Sequence, residues 1–81
     1  MNDYFDESYQ SKNGRWNIDI KKEDRYITVC IWNNSLVSSK YCTQYCISID
    51  KYGFDGNYLS LPKYLQKELK NIQARYFKIG G

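Results

Sequence analysis

The sequence predicts an α+β fold: a curved antiparallel sheet of three to four strands, covered on one face by a single C-terminal amphipathic helix, in the order β-β-β-β-α. Three observations carry this reading. From Leu61, apolar residues recur at Leu65, Leu69, Ile72, Tyr76 and Ile79, which at ~100° per residue fall within a sector of about 80°. Upstream, the stretches beginning at Trp16, Tyr26 and Tyr41 alternate with period two, as half-buried strands do. The segments between them are short and rich in Lys, Asp, Asn, Ser and Gly, the residues of turns.

The 81 residues suffice for one domain, and a chain of that size buries only about 60 to 65% of its unfolded surface. Hydrophobic residues at 42% and aromatic residues at 17%, with nine Tyr, are too many for a disordered chain. Residues 1–13 combine Asp3, Asp6 and Glu7 with Tyr4, Phe5 and Tyr9 and show no clear period, so they read as an acidic-aromatic arm preceding a domain at 14–81. The arm is expected either to remain mobile or to dock on the protein or a partner.

The first strand begins after Gly14, with Trp16, Ile18 and Ile20 on one face and Asn17, Asp19 and Lys21 on the other. A polar turn over 21–25 leads to the second strand, Tyr26 to Trp32, in which Ile27, Val29 and Ile31 oppose Tyr26, Thr28, Cys30 and Trp32. An Asn/Ser-rich loop precedes the third strand, Tyr41 to Ile49, and a turn over 51–56 precedes a short fourth strand at Asn57 to Leu59. Ser60 suits a helix N-cap and Pro62 the first turn. The helix is assigned to the face of Ile18, Ile20, Ile27, Val29, Ile31, Ile47 and Ile49, which leaves Tyr26, Cys30, Trp32, Cys42 and Cys46 on an apolar outer face that calls for a second subunit, a partner protein or stacked bases.

Histidine is absent, which removes the commonest general base and any His-containing zinc site. The three cysteines lack a CxxC spacing, and Cys42 and Cys46 lie ~13 Å apart along one predicted strand, too far to bridge each other; reduced thiols, no metal and no cofactor are expected. Asp50 and Asp55 flank a turn, where turn chemistry outweighs Mg²⁺ binding for a compact nuclease. No apolar run approaches ~18 residues and the acidic N-terminus has no basic n-region, so a cytoplasmic chain without membrane contact is expected.

Residues 10–81 carry all twelve Lys and Arg against six acids, a formal +6, which suits an anionic partner. Lys63, Lys67, Lys70 and Lys78 fall on the helix side opposite the apolar stripe, and Arg15, Lys21, Lys22 and Arg25 form a second basic cluster around the first hairpin.

The hairpin Gly-Arg-Trp-Asn-Ile-Asp-Ile and Arg-Tyr-Ile-Thr-Val-Cys-Ile-Trp, followed by Gly-Asn-Tyr-Leu-Ser-Leu-Pro entering the helix, resembles the single-stranded-DNA-binding fold of positive cofactor four and the Whirly proteins over about residues 14–76. The resemblance implies a homodimer paired through its helices and binding of unpaired strands on curved sheets by basic and aromatic residues. This chain differs from that family in a longer second connection and a third strand without basic residues.

Two functions of different classes follow. The first is a small non-catalytic inhibitor, encoded by a phage or mobile element, that uses its aromatic sheet face and lysine-rich helix to occlude a host nucleic-acid-targeting complex (anti-CRISPR type). The second is a single-stranded nucleic-acid-binding protein in which Tyr26, Trp32 and Tyr58 stack on bases and Lys63, Lys67, Lys70 and Lys78 meet phosphates.

Overall fold

The structure, a computed structural model, describes residues 4–33 and 45–78. Five strands, β1 (Glu7–Gln10), β2 (Trp16–Lys22), β3 (Ile27–Asn33), β4 (Tyr45–Asp50) and β5 (Gly53–Gly56), form one open antiparallel sheet in sequence order. A 3-10 turn at Tyr58–Ser60 leads into the helix α1 (Lys63–Phe77). The result is a single α+β domain with five strands, where three to four were expected.

Register places the inward residues directly opposite one another. Ile18 faces Ile31, Ile20 and Ile47 both face Val29 from either side, and Ile27 faces Ile49. All seven of the predicted aliphatic residues are buried, together with Trp16 from the sheet and Leu61, Leu65, Leu69 and Ile72 from the opposing layer. The helix therefore covers the face predicted for it. Tyr76 packs partly buried at the edge of this core, while Ile79, Cys42 and residues 41–44 of the predicted third strand lie outside the described residues.

The N-terminal stretch supplies the strand the sequence reading lacked. β1 pairs along β2, and its inward residues are polar: Glu7 and Tyr9 point at the helix. Tyr9 donates its hydroxyl to Glu68 Oε2 at 2.7 Å, Tyr76 donates to Glu7 Oε1 at 2.6 Å, and Arg75 donates to Glu7 Oε2 at 2.9 Å. Burial works to raise the Glu7 carboxyl, but the bonds from Tyr76 and Arg75 outweigh it and hold the group below its ordinary value. Burial, and then the bond to Glu7, push the Tyr76 phenol up to about 12; Tyr9 is raised in the same way by burial and Glu68.

The short strand expected at 57–59 lies earlier, at Gly53–Gly56, and Tyr58–Ser60 is a 3-10 turn. Asp50 Oδ1 accepts the N–H groups of Tyr52 at 2.8 Å and Gly53 at 2.9 Å, so only Lys51 and Tyr52 are needed to reverse the chain. Gly56 then has φ +89°, and a Cβ there would sit 2.9 Å from the Cys46 carbonyl oxygen. Only glycine lets β5 close on β4 at this point.

The helix also starts later than predicted. Ser60 belongs to the 3-10 turn, and Pro62 occupies the N-cap without a side-chain bond. Gln66 Nε2 donates back to the Leu61 carbonyl at 3.0 Å, tying the first helical turn to the residue before the N-cap. At the other end Lys78 takes the left-handed conformation, φ 53° and ψ 45°, and stops the helix.

The outer face is more polar than expected. Cross-strand partners share a face, and the rows read Ser8, Asp19, Cys30, Cys46, then Asn17 with Trp32, then Lys21, Thr28, Ser48, Asp55. The apolar area on which the homodimer expectation rests is confined to Tyr26, Cys30, Trp32 and Cys46 among the described residues. The strands flanking the central pair supply polar side chains that the alternation within β3 alone does not reveal.

Candidate functional site

A concavity lies at one tip of the sheet, where two turns meet. Because Ile27 pairs with Ile49, the end of the β2–β3 turn lies beside the end of β4. This brings Arg25 and Tyr26 next to Asp50 and Tyr52. A cleft of about 580 Å³ opens there between Arg25, Tyr26, Tyr52, Phe54 and Asp55. A second cavity of about 490 Å³ adjoins it, sharing Arg25, Asp50 and Tyr52 and adding Lys51 and Phe77.

The β4–β5 side of the tip is held from below by hydrogen bonds. Besides the two bonds that Asp50 Oδ1 accepts, the Asp50 carbonyl accepts a 2.8 Å bond from Gln73 Nε2 of the helix. Phe54 stacks on Tyr58 with centroids 4.1 Å apart and planes 8° from parallel. On this platform the aromatic rings remain in solvent: Tyr52 is 84% exposed and Tyr26 43%. Lys51 Nζ lies 5.1 Å from the centre of the Tyr52 ring, a cation–π contact that positions a charge beside it. Exposed Tyr next to Arg on a preordered base is the composition of a binding hot spot.

Of the residues singled out from sequence, Tyr26 belongs to this tip, and Lys78 directly follows Phe77, which borders it. Tyr58 does not join Tyr26 and Trp32 on the outer face. It packs against the core, stacked on Phe54 with its hydroxyl directed at the Gln66 carbonyl, and burial raises its phenol. Trp32 is on the outer face but half-buried, and its indole N–H is buried without an acceptor. Lys63, Lys67 and Lys70 are exposed on α1, on the far side of the core from Trp32. Lys67 borders a groove of about 290 Å³ with Lys12 and Tyr64, between the β1–β2 turn and the helix.

Sequence reasoning missed Tyr52 and Lys51. The available signal was a large aromatic side chain inside a turn, Asp-Lys-Tyr-Gly, where no layer is placed to bury it. The Asp50 carboxylate is committed to the turn and Asp55 Oδ1 accepts the Gly56 N–H at 3.1 Å. Among the described residues, no three His, Cys, Asp or Glu side chains group to hold a metal ion. No helix of the described residues is long and apolar enough to cross a membrane.

Comparison with known proteins finds no family model, no curated protein and no solved structure that matches this chain.

Proposed function

We propose that this chain acts by binding a protein partner, as a small inhibitor that occludes a nucleic-acid-targeting complex would, and that the Arg25–Tyr26–Tyr52 tip makes the central contact. The observation that carries the reading is the pair of exposed tyrosines beside Arg25, which has no ion-pair partner among the described residues, next to a β4–β5 turn tied down by Asp50 and Gln73. The bonded β4–β5 turn leaves less loop freedom for binding to remove.

Single-strand binding centred on Trp32 is the weaker reading because it needs rings and cations on that one surface. Trp32 shares its face with Asp19 and Asp55, and Lys21 is the one base in the rows described there. Phosphates would find little positive charge beside that ring, while the helix lysines lie beyond the core. Titration with labelled single strands at near-physiological salt tests this. The proposed function predicts no submicromolar binding; tight binding that weakens steeply with salt and is lost on reversing Lys63, Lys67 and Lys70 to Glu would replace it with the nucleic-acid reading.

A further inference from the structure

We propose that Cys30 and Cys46 form a thiol pair that closes to a cross-strand disulfide when a small disulfide oxidant reaches the outer face, a modification site independent of the tip. The two residues are direct partners in the β3–β4 register, and their sulfur atoms lie 3.5 Å apart with both thiols free. Cross-strand partners in antiparallel sheets have Cα atoms about 4.5 to 5.5 Å apart, inside the range of about 4.4 to 6.8 Å that a disulfide spans. Bonding distance is about 2.05 Å, so closure takes a side-chain rotation with no change in strand pairing.

The two sulfurs differ in access, and that sets the order of events. Cys46 is exposed, whereas Cys30 is half-buried, and burial together with the Cys46 contact pushes its thiol up to about 12. Cys46 therefore meets the oxidant first. Its thiolate attacks one sulfur of the small disulfide, forming a mixed disulfide and expelling one thiolate. Cys30 then gives up its proton as its sulfur attacks Cys46 Sγ, the Cys30–Cys46 bond forms, and the second small thiolate leaves. Two protein thiols lose two electrons and two protons, and the oxidant is reduced to two thiols.

The closed bond ties the central strands together across the connection between them. In a reducing compartment it would be transient, as redox-responsive disulfides are.

The test is incubation of the folded protein with oxidised glutathione, followed by alkylation of free thiols, trypsin digestion and mass spectrometry. Trypsin separates Cys30 in peptide 26–40 from Cys42 and Cys46 in peptide 41–51. The expected product is monomeric, lighter by two hydrogens, with the two peptides joined through Cys46, with Cys42 alkylated, and reversed by reductant. The Cys30→Ser variant should instead stop at the glutathione adduct on Cys46. Linkage through Cys42, dimers joined Cys46 to Cys46, or an adduct on Cys46 that persists in the unaltered protein would each overturn the assignment.

Discussion

At Gly56 the absence of a side chain decides whether β5 can pair with β4. Its positive φ and the 2.9 Å approach of a Cβ position to backbone are both intolerant of Ala. Gly56→Ala should therefore lose at least about 1 kcal/mol in chemical denaturation; a neutral result would mean that β5 does not close as described. Glu7 makes a different kind of contribution, one that depends on pH. Its folded-state pKa lies below the ordinary 4.5, so the stabilisation it provides is present above that value and disappears as the pH falls through the lower folded one. Glu7→Gln should cost roughly 1 kcal/mol at pH 7, a modest figure because the partner Arg75 is half exposed. Parallel urea titrations should show the difference between Glu7→Gln and the parent shrinking toward zero below pH 4.5, and a gap that stays constant would assign Glu7 a role other than its charge.

The elements differ in how plainly the sequence announces them, and the difference has a physical origin. The helix was legible because Leu61, Leu65, Leu69 and Ile72 are apolar at helical spacing and all four are buried. β2, β3 and the end of β4 were legible through their aliphatic alternation. β1 was not, because its inward residues are Glu7 and Tyr9, whose partners Glu68, Arg75 and Tyr76 come from a helix about sixty residues away. A polar inward face looks like no face at all until its partners are known. β5 was displaced because glycines that read as a turn are what allow close strand approach. At the site, Tyr26 could be placed from its strand, but Tyr52 and Arg25 come together only through strand pairing. The faces of β2, β3 and the helix follow from single-element periodicity, whereas Tyr58, expected on a short strand with Tyr26 and Trp32, lies in a 3-10 turn packed on the core. Where the reading held, it supports a strong prediction: Leu69, fully buried at the centre of the helix stripe, should cost about 2 to 5 kcal/mol as Leu69→Ala in denaturation experiments. A loss below about 0.5 kcal/mol would detach the helix from the sheet.

Among the described residues, charge and aromatic surface are spread over separate places, among them lysines along α1, a half-buried Trp32 among polar residues on the outer face, and the tyrosine-arginine tip between two turns. At the tip, exposed rings and cations stand together beside a cleft. The most direct measurement is affinity capture of partner complexes from nuclease-treated host lysate, run side by side with the parent protein, with Arg25→Ala/Tyr26→Ala/Tyr52→Ala, and with Lys63→Glu/Lys67→Glu/Lys70→Glu. All three proteins are first shown to be folded by circular dichroism. Protein-directed binding through the tip predicts one defined complex that survives nuclease treatment, is retained by the lysine-reversed protein and is lost with the tip variant. Capture that vanishes with nuclease, or that persists in the tip variant, would contradict it.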